Sequence, residues 1–98
     1  MTLETGFEVV PHYAMTLFIT GASRLSMLAV SRVREFCEEE LNGHYDLEVV
    51  DLYRTPERAK EAQVIASPTL LRDNPLPIRR VIGDMSNRGK LRAAIKVG

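Results

Sequence analysis

Apolar residues along the chain fall into short runs separated by polar breaks, and two different spacings alternate. Ala14 to Thr20 is an apolar run that stops at Gly21. Its length and its Phe, Ile and Thr content predict a strand, and apolar side chains on both faces predict a central one. From Ser23 to Leu41 the spacing becomes helical: Val30, Val33, Cys37 and Leu41 make one stripe, flanked by Ala29 and Phe36. Ser23 suits the N-cap, and Asn42-Gly43 supplies the left-handed backbone that ends a helix. Tyr45 to Leu52 alternates, with Leu47 and Val49 to one side and Glu48 and Val50 to the other, which predicts a half-exposed edge strand. Thr55-Pro56-Glu57 predicts a helix start with Thr55 as its cap, and a short helix over Pro56 to Gln63. Val64 to Ser67 leads into a third strand, Pro68 to Arg72. Asp73-Asn74-Pro75-Leu76-Pro77 reads as a turn. Ile78 to Ile82 is a fourth strand, and Ser86 opens a last helix whose apolar face is Leu91, Ala94 and Ile95. Residues 1–13 read as a loose leader in which Phe7, Val9 and Val10 could pack, and residues 14–98 as one domain.

The long helix between the first two strands is a crossover, so those strands are expected to be parallel. The short turn between the last two makes an antiparallel hairpin. The order is βαβαββα, with a four-stranded mixed sheet and helices on both faces, which is the thioredoxin-like architecture. Ser67-Pro68-Thr69 fits it, because that fold commonly places a cis-proline at the start of this strand.

Composition narrows the function. A chain of 98 residues, 45% hydrophobic and 27% charged, is an ordinary globular domain with one core. Lys plus Arg and Asp plus Glu are both 13, and the net charge of zero argues against a nucleic-acid binder. Little charge repulsion holds copies apart, so self-association is open. The single cysteine, Cys37, can close no intrachain disulfide and supply no zinc cage. The leader has neither a basic n-region nor a long apolar run, and no stretch reaches the ~20 residues of a transmembrane helix. A cytoplasmic protein with no membrane partner is expected.

Redox chemistry is the first activity to test on such a fold. It needs a thiolate at the N-terminus of the first helix, where the dipole lowers its pKa. Gly21-Ala22-Ser23-Arg24-Leu25-Ser26 stands there instead, and serine cannot carry disulfide exchange. Cys37 lies about four turns further on and reads as an inert core residue. A glutathione-binding enzyme lacking a redox cysteine is the alternative, with Ser23 as activating hydroxyl, Pro68 as backbone anchor, and Asp84 with Ser86 at a carboxylate-binding helix start. Capping and turn geometry explain each of these more simply. His12 and His44 read as surface residues, and Glu38, Glu39 and Glu40 as a solvated acidic face rather than a metal site. No phosphate-cradling glycine loop follows the first strand. Arg79 and Arg80 face opposite sides of the sheet; either one is an interaction residue or both are solvated edge charges. The residues therefore point away from catalysis and cofactors and toward protein binding.

The segment from about Met15 to Val97 resembles the circadian clock protein KaiB family. The residues that carry the resemblance are LFITG (17–21), LNGHYDLEVVDLYRTPERA (41–59) and VIASPTLLRDNPLPIRRVIGDMSNRGKL (64–91). The same module is similar to the N-terminal sensory domain of the clock-output kinase SasA. The resemblance implies a non-enzymatic regulator that binds a KaiC-like hexameric ATPase ring and, once bound, sequesters KaiA or displaces SasA. It implies partner-binding positions at Leu28, Tyr45, Asp46, Leu47, Glu48 and Arg80. The family tends to carry basic residues at positions 28 and 48, so the partner surface here departs from the clock pattern. The resemblance also implies fold switching between a thioredoxin-like monomer and a homotetramer with a rearranged C-terminal half. Pro68, Pro75, Pro77, Gly89, Ala94 and Lys96 are the positions bearing on it. Ala94 and Lys96 stand where the family commonly has Gly and Asp, which favours a C-terminal helix by about 1 kcal/mol and about 0.3–1 kcal/mol. Gly89 in place of the usual Glu, three residues after Ser86, works against that helix by about 1 kcal/mol. The sum favours the thioredoxin-like form.

Overall fold

A computed structural model describes residues 11–97. The leader at residues 1–10, with Phe7, Val9 and Val10, lies outside the described residues. The elements run β1 (Tyr13–Ile19), α1 (Arg24–Glu40), β2 (Tyr45–Asp51), α2 (Glu57–Glu61), β3 (Thr69–Asn74), β4 (Arg79–Ile82) and α3 (Arg88–Ile95). The sheet order is β2-β1-β3-β4, so β2 and β4 form its two edges. β1 and β2 are parallel, while β1–β3 and β3–β4 are antiparallel. The βαβαββα order and mixed sheet expected from the pattern are present.

The alternation of β1 sorts the molecule into two layers. Tyr13, Met15, Leu17 and Ile19 face α1 and α3 and join Ala29, Val33, Phe36, Cys37, Leu70, Val81, Leu91 and Ile95 in the main core. Phe18 faces the other way, with Val50, Val64 and Leu71, under α2. Both faces of β1 are thus apolar, as a central strand requires.

Several boundaries differ from the sequence pattern. Tyr13 is no part of a leader: it opens β1, is buried, and its hydroxyl accepts from the Val97 backbone N–H at 3.0 Å. A tyrosine can lie in a core when its hydroxyl finds a partner. Thr55 does not cap α2 with its side chain; its hydroxyl donates to the Asp51 carbonyl, and Pro56 takes the cap position. Asp73 and Asn74 belong to β3 rather than to the turn. Ser86 does not open α3. Its N–H and hydroxyl both donate to Asp84 Oδ1, and Asn87 is the cap, accepting from Lys90 N–H at 3.0 Å. Gly89 is therefore the second residue of α3, not the acid position of a capping box on Ser86, and the comparison with the family's Glu loses its capping part.

α1 behaves as its pattern predicts at both ends. Ser23 caps it by accepting from Ser26 N–H. Asn42 and Gly43 leave it with φ of 49° and 81°, the left-handed region that glycine and asparagine tolerate best. The Ser67-Pro68 bond before β3 is cis, as expected. Among the described residues, no helix is long and apolar enough to cross a membrane.

Candidate functional site: two edge strands and the corner between them

The corner where redox chemistry would sit is built from hydroxyls. β1 ends at Ile19, and the chain turns through Gly21 into the cap of α1. Ser23 Oγ donates to Ser26 Oγ at 3.0 Å, and Ser26 Oγ donates to the Thr20 carbonyl at 3.2 Å. Gly21 has a φ of +67°, with the Tyr53 ring packed where a Cβ would need to be. Asp51, ending β2, ties this corner together: its Oδ1 accepts from the N–H groups of Gly21 and Tyr53, both at 2.9 Å. Those two donors hold its carboxyl below the usual range. Both serine hydroxyls here are committed to local structural bonds. Cys37 is fully buried on α1, and burial pushes its thiol up to about 12, so it is neither placed nor charged for nucleophilic work.

The sequence-derived partner positions do not form one patch. Tyr45 and Leu47 lie on the α1 side of β2, half-buried against the main core. The Tyr45 hydroxyl donates to Glu38 Oε2, which raises its pKa to about 12. Leu28 lies half-buried in the first half of α1, next to the exposed Met27 and Leu25. Asp46 and Glu48 project from the opposite face of β2, and both are exposed. His12 Nε2 lies 2.7 Å from Asp46 Oδ2. Arg80 stands on β4, the far edge, about 14 Å away at the usual strand spacing. It shares the α2 face with Asp46 and Glu48, because its register partner Leu71 belongs to the α2 layer.

Two arginines organise that face. Arg58 of α2 forms a fork on Glu48, with Nη1 on Oε2 and Nη2 on Oε1, both at 3.0 Å. The pair holds the Glu48 carboxyl below its ordinary range and lifts Arg58 further. Arg80 donates Nη1 to the Gln63 carbonyl at 3.1 Å and Nη2 to the Ala62 carbonyl at 3.3 Å. Between α2 and β4 runs an open groove of about 380 Å³, lined on its floor by Thr16, Phe18 and Leu71.

Arg79, by contrast, projects exposed on the α1 and α3 face, opposite Arg72. Glu39 and Glu40 are not a purely solvated face. Glu40 takes Arg92 at 2.7 Å and Lys96 at 3.5 Å, and Glu39 takes Arg88 at 2.7 Å, all from α3 or its C-cap. The Arg92 hydrogen bond is the main cause that lowers the Glu40 carboxyl from its usual 4.5 to about 2. Among the described residues, no cluster of three or more His, Cys, Asp or Glu could hold a metal ion.

Of the positions associated with fold switching, Pro68 is buried at the start of β3, and Pro75 and Pro77 lie in the β3–β4 turn. Ala94 packs half-buried against the main core, and Lys96 is the C-cap of α3 as well as a partner of Glu40. Sequence reasoning missed Arg58 and Arg72. Arg72 is 3% exposed, donates to the Ile95 and Pro77 carbonyls at 2.7 and 2.8 Å, and has no carboxylate partner among the described residues. Its signal was present: it falls in the same register as Leu70, on the inward face of an apolar strand. For Arg58 the sequence carried no such signal, because a separation of ten residues from Glu48 across a strand and a turn matches no helix or strand period.

Comparison with known proteins agrees with this geometry. A family model described as the KaiB domain matches residues 16–97. The circadian clock protein KaiB3 of Synechocystis sp. is 39% identical over 77 residues, covering 79% of this chain and 76% of that protein. The circadian clock oscillator protein KaiB of Prochlorococcus marinus is 40% identical over 79 residues, covering 81% and 74%. Among solved structures, the N-terminal domain of Synechococcus elongatus SasA superposes with a TM-score of 0.70 at 18% identity, covering 94% of this chain and 90% of that one. Mitochondrial thioredoxin 3 of Saccharomyces cerevisiae gives 0.70 at 19% identity, covering 87% and 77%. At such identities these two likenesses speak for the thioredoxin-like fold, while the family match speaks for descent: this chain belongs to the KaiB family of circadian clock proteins.

Proposed function

We propose that the protein is a non-enzymatic docking regulator that binds a KaiC-like ATPase ring or a SasA-like kinase through α1 and the free edge of β2. The observation that carries this reading is the state of that edge. The β1–β2 ladder begins with Tyr13 N–H on the His44 carbonyl and ends with Leu52 N–H on the Ile19 carbonyl. In a parallel ladder of that phase, Asp46, Glu48 and Val50 bond to β1. Tyr45, Leu47 and Val49 then direct their N–H and C=O groups outward. Among the described residues nothing pairs these groups, and such a seven-residue edge without proline is a template for a partner strand. β4 is shorter, follows a proline-rich turn, and has its Ile82 carbonyl bonded by Lys90 Nζ. The committed hydroxyls of the Ser23 corner support a role in recognition over a glutathione-dependent one.

Co-elution with KaiC-type and SasA-type proteins of the same genome tests this reading. Leu47→Pro removes one outward N–H without touching the β1 ladder. It is expected to abolish co-elution while the circular dichroism spectrum stays that of the wild type. Retained binding in that variant, or no binding by the wild type to any such protein, would sink the proposal. The monomer of the thioredoxin-like form, and exchange with a tetrameric form through the C-terminal half, belong to the same reading. A slowly exchanging second set of amide peaks for residues 55–97 would reveal the latter.

A further inference from the structure

α2 is unlike the other two helices. None of its five residues is buried, and its apolar contribution is limited to the half-buried Ala59, with Ala62 just beyond its end, against Phe18, Val50, Val64 and Leu71. What fixes it in place is polar and comes from the two edge strands. Glu48 on β2 grips Arg58, near its N-terminal end. Arg80 on β4 reaches back over the groove and takes the carbonyls of Ala62 and Gln63, just past its C-terminal end. Those carbonyls are groups that a helix end leaves without internal partners, so the guanidinium fork acts as a C-terminal cap supplied by a distant strand.

We propose that α2 is a strap clipped across the sheet at both ends, and that Glu48 and Arg80 are positioning residues that couple the two edge strands through it. Each clip holds α2 where the other can reach it. A partner group that draws Glu48 away from Arg58 loosens the end held by Arg80, and a carboxylate that takes Arg80 loosens the end held by Glu48. The coupling needs no change in the sheet, because the main core on the opposite face holds β1, β3 and β4 independently of α2. It also holds in the free protein, whatever partner the β2 edge binds.

Amide hydrogen exchange of the free protein, read by NMR, tests it. The reporters are the N–H groups of Ala62, Gln63 and Val64, which bond to the carbonyls of Arg58, Lys60 and Ala59. Glu48→Gln and Arg80→Gln are each expected to speed their exchange about two- to fivefold, the scale of a solvent-exposed charged contact. The amides of Leu17 and Leu70 keep their wild-type rates and serve as the folding control. Glu48→Arg combined with Arg58→Glu rebuilds the pair in reverse and returns the reporters toward wild-type protection. In the double variant Glu48→Gln with Arg80→Gln, exchange rises by less than the product of the two single effects. Unchanged reporters in both single variants would overturn the proposal, as residues that only touch a partner do nothing in the free protein. Failure of the charge swap to rescue, or effects that multiply in full, would overturn the pairing and the coupling respectively.

Discussion

α3 and α2 lie on opposite faces of one sheet, and they are held there by different physics. α3 buries Leu91 and Ile95 completely and then adds polar pins. Arg72 takes its last carbonyl, Glu40 takes Arg92 and Lys96, and Arg88 takes Glu39 while its guanidinium sits 5.7 Å from the centre of the Phe36 ring. α2 has the pins and almost none of the burial. The comparison teaches that the same kind of arginine contact, to carboxylates and to carbonyls at helix ends, plays two roles. Over a buried core these contacts set orientation on top of a hydrophobic attachment worth several kcal/mol; over an open groove little burial stands beside them.

The largest expected effect tests the burial side of this contrast. Leu91→Ala removes a fully buried side chain from beneath α3 and is expected to cost about 3 kcal/mol in urea unfolding. Ala62→Gly, under α2, is expected to cost about 1 kcal/mol or less. Equal costs at the two positions would break the comparison.

Arg72→Met comes next. Methionine fills the space but leaves the Ile95 and Pro77 carbonyls without their donor, so a loss of about 2 kcal/mol is expected. A gain in stability would mean instead that the cost of desolvating this guanidinium outweighs its two bonds.

Acid should act on α3 through Glu40. Its carboxyl is lowered in the folded state from 4.5 to about 2, so the native state binds its proton later than the unfolded chain does. The stability that this group adds is present above about 4.5 and is lost as pH falls from there toward about 2. Wild type should therefore lose more stability between pH 7 and pH 3 than Glu40→Gln does, measured by the urea midpoint at each pH. The smallest effect is expected at Cys37. A thiol pushed up to about 12 in a dry core should not react with a disulfide reagent at pH 8 until the protein unfolds. Rapid reaction in the native state would show that the α1–α3 face is not closed.

Much of this architecture was legible along the chain. The both-sided apolar run of β1, the stripe of α1, the alternation of β2 and the Ser67-Pro68-Thr69 step specify elements and order, because hydrophobic period and turn chemistry are local properties. The absence of a sulfur at the Ser23 corner was equally readable. Boundaries shifted where a partner other than the expected one won, at long range for Tyr13 and only two residues away for Ser86. Tyr13 was drawn into β1 by the Val97 amide that meets its hydroxyl. Ser86 turned to Asp84, leaving the cap of α3 to Asn87.

The tertiary structure spreads the expected partner positions over both faces of the sheet and its two edge strands. Strand order alone placed Arg80 at the edge farthest from β2. It also brought Arg58 to Glu48 and Glu40 to α3, pairings between residues that no sequence spacing singles out. Sequence determined which segments coil, which extend, and that the reactive corner holds hydroxyls. Only the packed molecule decided which charges meet, because that depends on crossovers and sheet order rather than on neighbours along the backbone.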